Sequence, residues 1–150
     1  MKKSITGLMT FLTVLFFATT INAQSKDQAA VKTVVQNYFD ALNASDVNKV
    51  VSYFTADGVL LAPGAPTATG TEQLKGTFKY VFDNFTYTLA VAIADITVEG
   101  DYAFVASTSK GSFVIKSSNQ KIEDDFRETF ILKRVNGQWK IASYMYNKSK

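Results

Sequence analysis

The stretch Ile122–Tyr146, IEDDFRETFILKRVNGQWKIASYMY, decides how the chain folds. Asn136-Gly137 lies inside it, and both residue types tolerate positive φ, so the pair predicts a two-residue hairpin turn. β-branched and aromatic residues recur on either side, as in paired strands. With Val135 opposite Gln138, the pairs Arg134/Trp139, Leu132/Ile141, Phe130/Ser143 and Glu128/Met145 share one side. The other side carries Lys133/Lys140, Ile131/Ala142, Thr129/Tyr144 and Arg127/Tyr146. The first side is the more apolar and is assigned to the core. The second is amphipathic and faces water, or a partner subunit through Ile131, Tyr144 and Tyr146. A slip of one residue would exchange the two faces.

Upstream, Thr86 to Glu99 reads as one long strand, bulged near Ala94-Asp95 where the alternation changes phase. Gly100-Asp101 turns it into a strand from Tyr102 to Lys110, which reaches Lys116 if Gly111 is only an interruption. Ser117 to Gln120 is a polar hairpin loop. Val59 to Ala62 is a short strand ended by Pro63-Gly64-Ala65-Pro66, where both prolines of the chain lie. Proline has no amide proton to give a ladder, so this loop is not a central strand. Before it, Val31, Val34, Val35, Tyr38, Phe39 and Leu42 form one stripe of 3.6-residue period, predicting a helix from Asp27 to Asn43. Ser25 and Gln28 resemble a capping box at its start. Asp46 is placed to cap a second, shorter helix carrying Val47, Val50, Val51 and Phe54, which Asp57-Gly58 would end with a turn. Thr71 caps a third, from Glu72 to Asn84, with Leu74, Phe78, Val81, Phe82 and Phe85 on its inner face.

The first 23 residues read as an address. Lys2-Lys3 is a positive start, Leu8 to Ala18 is densely apolar, and a polar stretch runs to Ala23. That is the layout of a cleavable secretory signal, so the chain is expected to be exported, as a secreted or periplasmic protein. The alternative is an uncleaved anchor, which needs about 20 apolar residues; Thr6, Gly7, Thr10, Thr13, Thr19 and Thr20 dilute this run. Residues 24–150 form one domain, which should leave the membrane once the signal is cut.

The composition narrows the chemistry. The chain of 150 residues has no cysteine and no histidine. Disulfides, thiolate metal sites, histidine bases and cysteine nucleophiles are therefore excluded. Residues 24–150 carry 14 basic and 13 acidic side chains, a charge of +1. No basic stripe remains to neutralise a phosphate backbone, so nucleic acid is not an expected partner. No cofactor is read from the sequence.

Helix, helix, short strand, Pro/Gly loop, helix and then long antiparallel strands is an α+β order. A curved antiparallel sheet must bury its concave face on three N-terminal helices. Here the chain resembles the nuclear transport factor 2-like superfamily, in its SnoaL-like and ketosteroid-isomerase-like branches. The likeness spans Ala29 to Asn147. It is carried by Tyr38-Phe39-Asp40-Ala41-Leu42 with Ser45-Asp46, by Phe54-Thr55-Ala56-Asp57-Gly58-Val59, and by Gly70-Thr71-Glu72-Gln73-Leu74. Glu99-Gly100-Asp101-Tyr102-Ala103, Phe126-Arg127-Glu128-Thr129 and Asn136-Gly137-Gln138-Trp139-Lys140-Ile141 continue it. The resemblance implies a cone with a pocket at its open end, and commonly a homodimer.

It also implies where catalysis would be. The resembling isomerases use a first-helix tyrosine, matched by Tyr38, and an aspartate at the end of the first strand, matched by Ala62. Alanine cannot take a proton, so that general base is missing. A third acidic position falls near Arg127 or Phe130. The last-strand histidines of many SnoaL-like relatives correspond to Ser143 and Met145.

The expected pocket lining is Tyr38, Phe54, Leu60, Ala62, Phe78, Phe82, Phe113, Phe130, Ser143 and Met145, with Phe126 a further candidate. Tyr38, Glu128 and Asp124 are the candidate catalytic groups. Each has a plainer reading: Tyr38 as a core phenol, Glu128 as an ion pair with Arg127 or a lysine, Asp124 as part of a solvated strand end. Glu123-Asp124-Asp125 could hold a hard cation, but successive strand residues point to opposite faces, so no metal site is expected. Arg127 could hold a ligand carboxylate, or form a surface ion pair. Asn43-Ala44-Ser45, Asn84-Phe85-Thr86 and Asn147-Lys148-Ser149 match the glycosylation triplet.

The expected function is binding of a small hydrophobic or aromatic ligand in the cone. The alternatives are an isomerase, cyclase or dehydratase using Tyr38 and an inward carboxylate, and a dimeric interaction module using the open sheet face.

Overall fold

The computed structural model describes residues 9–149, with side chains described from residue 24 onward. Residues 1–8, the start of the secretory signal read above, lie outside the described residues. The elements are α1 (Met9–Asn43), α2 (Val47–Ser52), β1 (Phe54–Leu61), β2 (Ala68–Thr69), α3 (Gly70–Asn84), β3 (Phe85–Glu99), β4 (Tyr102–Ile115), β5 (Gln120–Val135) and β6 (Gln138–Lys148). One six-stranded sheet runs in the order β2-β1-β6-β5-β4-β3. It is antiparallel throughout except that β1 runs parallel to β6. The helices lie on its concave face, and the architecture is the α+β cone.

Helix α1 starts well before Asp27, so Ser25 and Gln28 stand inside it and do not form a capping box. A residue inside a helix finds its N–H partner four residues back and needs no cap. The Gln28 side chain donates instead to the Ile96 carbonyl at 2.9 Å. Along α1, Val31, Val35, Tyr38, Phe39 and Leu42 are buried at the predicted spacing. Its last residue clamps the helix to the sheet: the Asn43 amide donates to the Leu89 carbonyl at 2.8 Å and accepts from the Leu89 N–H at 2.9 Å. With its amide nitrogen engaged, Asn43 is no free glycosylation acceptor. Asp46 caps α2 by accepting from the Lys49 N–H at 2.9 Å. α3 begins at Gly70, so Thr71 lies inside it; the Thr69 N–H ahead of it is held by the Gln73 side chain at 2.8 Å.

Strand β1 begins at Phe54, and Asp57-Gly58 is absorbed inside it as a register shift, not a turn. Strand β4 passes Gly111 without a break. Gly111 has φ +153°, and a Cβ there would lie 2.0 Å from the Thr88 carbonyl oxygen, so only glycine fits. The bulge in β3 falls between Ile93 and Asp95, where the alternation changed phase. Asn136 and Gly137 take positive φ of 50° and 77° in the β5–β6 turn.

The β5–β6 register departs from the simple hairpin count. Arg134 faces Trp139 and Leu132 faces Ile141, but Ile131 then faces Ser143, leaving Ala142 as an extra residue in β6. Beyond this bulge Phe130 opposes Tyr144 and Glu128 opposes Tyr146, in place of the expected Ser143 and Met145. The face assignment of β6 therefore inverts after Ala142. Tyr144 is buried, and Met145 is 51% exposed.

The core is densest where β5 and β6 meet α1. Leu132, Ile141, Phe130, Val31 and Val35 are fully buried there, each large apolar side chain worth roughly 1.5–3 kcal/mol of transfer from water. Arg134 closes this end. Its guanidinium donates to both Asp27 oxygens at 2.9 and 2.7 Å and to Asp101 at 3.2 Å, and lies 4.4 Å from the Trp139 ring centre. The Trp139 indole N–H also donates to Asp27 at 3.3 Å.

Candidate functional site

Toward the other end the inner face of the sheet recedes from α1 and α3, leaving a cavity of about 330 Å³. Alternation sets its walls. Tyr87 and Phe113 face each other across β3–β4, Gly111 pairs with both Leu89 and Asp124, Ser109 pairs with Phe126, and Ser107 with Glu128. Tyr144, Tyr146 and Lys148 follow from β6. The helical wall comes from Tyr38 and Leu42 of α1 and from Thr77, Phe78, Tyr80 and Val81 of α3. Leu60, Ala62, Pro63 and Ala65 complete it. Exposed Tyr80 and Lys148 stand at the rim.

Of the expected lining, Tyr38, Leu60, Ala62, Phe78 and Phe113 border the cavity, as does Phe126. Phe54, Phe82 and Phe130 are buried behind it. Ser143 and Met145 lie on the outer side of the sheet, because the Ala142 bulge turns them away. Their places are taken by Tyr144 and Tyr146, which the unbulged count had put outside. Arg127 is also on the outer face, donating to the Lys148 carbonyl at 3.3 Å.

Glu128 is the buried acid of the cavity, 5% exposed. It pairs with neither Arg127 nor a lysine. Ser107 donates to its Oε2 at 2.8 Å, while Ser109 and Tyr144 donate to Oε1 at 2.7 and 3.3 Å. Burial raises its pKa above the ordinary glutamate value, against the lowering effect of these three hydroxyls. Tyr144 stacks on Phe130, with ring centres 4.1 Å apart and planes 5° from parallel. Tyr38 is 1% exposed and touches five aromatic rings edge-on, that of Tyr144 among them. Burial pushes both phenols well above the usual tyrosine range, and Tyr87 up to about 12. The floor of the cavity is thus a group of neutral hydroxyls around one carboxyl.

Nearer the rim, the Asp124 carboxylate faces inward and its side chain is 8% exposed. Lys148 Nζ lies 2.7 Å from its Oδ2. Of the three consecutive acids only Asp124 borders the cavity; Glu123 pairs outside with Lys121 at 2.7 Å. Among the described residues no group of three acids converges to hold a metal ion.

Chemically the cavity offers broad aromatic walls, hydroxyl donors around an acid at the floor, and a carboxylate–ammonium pair at the mouth. Ala62, at the isomerase base position, supplies only a methyl group. Among the cavity residues missed from the sequence are Tyr144, Tyr146, Tyr87 and Lys148. Tyr87 was open to detection by alternation within β3, whereas the three from β6 depend on the bulge.

Comparison with known proteins agrees with this architecture. The family model of the SnoaL-like domain matches residues 35–142. The structure is similar to a ketosteroid isomerase-like protein from Erwinia carotovora atroseptica, with 28% identity and a TM-score of 0.79 over 83% of this chain and 97% of that one. A protein from Planctomyces limnophilus superposes with a TM-score of 0.73 at 19% identity, covering 83% of this chain and 98% of that one. An NTF2-like protein with a cystatin-like fold from Novosphingobium aromaticivorans gives 0.68 at 15% identity, covering 98% and 93%. These last two speak for the fold alone. No curated protein sequence matches. The chain belongs to the SnoaL-like domain family, within the nuclear transport factor 2-like superfamily.

Proposed function

We propose that this SnoaL-like protein binds a small apolar or aromatic molecule in its cone cavity. The observation that carries the reading is the cavity itself: about 330 Å³, walled by aromatic side chains, with a few polar groups at its two ends. Small-molecule sites span roughly 300–1,000 Å³ and have this composition. A thermal-shift titration with a panel of aromatic compounds tests it. A binder should raise Tm with concentration, and Ala62→Trp, which fills the cavity, should remove the shift. A flat response to the whole panel, in Tm and in NMR shifts of the lining residues, would reject it.

A second reading is favoured by one observation. Glu128 is an inward acid with a raised pKa, hydrogen-bonded to Tyr144, whose ring meets that of Tyr38. A buried acid with a raised pKa is a candidate proton carrier, which supports an isomerase, cyclase or dehydratase. Three hydrogen bonds within the protein already fill most of the acceptor sites of the Glu128 carboxyl, so binding without turnover is preferred. Turnover that disappears in Glu128→Gln while ligand affinity stays would reverse that preference.

The proposal includes export and pairing. Lys2-Lys3 and the apolar run to Ala18 support export; N-terminal sequencing of the exported protein should begin at Gln24. Pairing through the outer sheet face is supported by exposed Phe104 and Met145 with half-buried Ile131 between them in the strand order. Light scattering should then report a dimer, and Met145→Lys a monomer.

A further inference from the structure

The mouth of the cavity is built around Asp124. Its neighbour on β4 is Gly111, and the next residue across is Leu89. No side chain from β4 therefore reaches over the carboxylate. Aromatic rings stand on both sides along the strands. Phe113 lies 5.8 Å from Tyr87 on one side, and Phe126 lies 5.6 Å from Tyr146 on the other. The Asp124 side chain is more than nine-tenths buried, and the group that meets its inner oxygen is the ammonium of Lys148. Lys148 itself is 58% exposed on a flexible stem. The lysine regains its hydration on leaving, so the buried carboxylate, which needs a partner, can take another cation in its place.

The charges bordering the cavity point the same way. Among the described residues that border it, Asp124 and Glu128 are acids and Lys148 is the one base. An organic anion would meet two carboxyl groups. An organic cation would meet them with aromatic faces alongside, which attract ammonium groups. The four residue steps from Asp124 to Glu128 span about 13 Å of strand, lined by Phe126 between them. That leaves room for an apolar body behind the charged head.

We propose that the ligand is an amphipathic organic amine, its ammonium seated on Asp124 in place of Lys148 Nζ and its apolar body extending toward Glu128. This rests on the cavity-binding reading and assigns the chemical class of its ligand. The Lys148 side chain acts as an internal stand-in that a ligand of like charge displaces.

Three molecules of one shape test the assignment: 3-phenylpropylamine, 3-phenylpropan-1-ol and 3-phenylpropanoate, titrated calorimetrically into the full chain at pH 7. The amine should bind at least tenfold more tightly than the other two. Asp124→Asn should erase that preference and leave the alcohol affinity in place. Lys148→Met, which removes the competitor without touching the core, should strengthen amine binding severalfold. Equal or tighter binding of the alcohol or propanoate, with all binding lost in Ala62→Trp, would overturn the amine assignment and keep the cavity reading. A preference for the amine that survives Asp124→Asn, or amine binding weakened by Lys148→Met, would overturn it as well. Binding by none of the three would count against both.

Discussion

The two ends of the cone treat their acids in opposite ways. At the packed end Asp27 is gripped by a bidentate guanidinium and an indole N–H, and the Arg134 hydrogen bonds hold its pKa below the ordinary aspartate value. At the cavity end Glu128 meets only hydroxyls, and burial raises its pKa. The strands are the same: β5 supplies both Arg134 and Glu128. What changes is whether side chains fill the space above the sheet. Where they do, an ion pair finishes the closure; where they do not, an acid is left beside a cavity with hydroxyls that can turn to donate or accept. One sheet thus divides its labour between holding the fold and keeping space open.

The largest test of this contrast is core truncation. Phe130→Ala, at a fully buried ring stacked on Tyr144, should cost about 3–5 kcal/mol. Phe113→Ala, at a half-buried ring that already borders the cavity, should cost about 1–2 kcal/mol. Urea unfolding at pH 7 measures both, and equal losses would break the distinction between the ends. A smaller effect is expected from Asp27→Ala, about 1–2 kcal/mol, for loss of charged hydrogen bonds that are partly exposed. Because the folded pKa of Asp27 is depressed, its contribution is complete above the unfolded value and fades as pH falls through the folded one. Wild type and Asp27→Ala should therefore converge in acid.

The smallest and most discriminating effect has the opposite sign. The raised pKa of Glu128 means the folded protein holds that proton more tightly than the unfolded chain. Its contribution is greatest below the unfolded glutamate pKa, declines as pH rises toward the folded value, and is level above it. The difference in stability between wild type and Glu128→Gln should show this decline in denaturant melts across that window. A difference that does not vary with pH would mean the acid is solvated and the two ends are alike.

Much of this was legible in the residues. Asn136-Gly137 set the last turn, Asp46 the start of α2, and the phase change at Ala94 the bulge in β3, because each is a local preference written into a few neighbouring side chains. The missing parts are those where distant segments decide. Ala142 carries no local mark of a bulge; its extra residue is forced by pairing with β5 on one side and β1 on the other. The pairing of Asp124 with Lys148 follows from the parity after that bulge. Asn43 looked like a surface acceptor because nothing nearby in sequence announces Leu89, 46 positions away. At Gly111 the local break signal was overruled by the close approach of the Thr88 carbonyl.

The extra residue at Ala142 makes the interior of the cone a matter of odd and even. Every second position from Tyr144 to Lys148 looks inward because the bulge leaves Ala142 out of the pairing. A strand that took Ala142 into regular pairing opposite Ile131 would place Ser143, Met145 and Asn147 on the inner face and turn its tyrosines to the outside. The character of the cavity wall, phenolic or thioether, is thus held by a bulge at a single methyl-bearing residue that contributes no chemistry of its own.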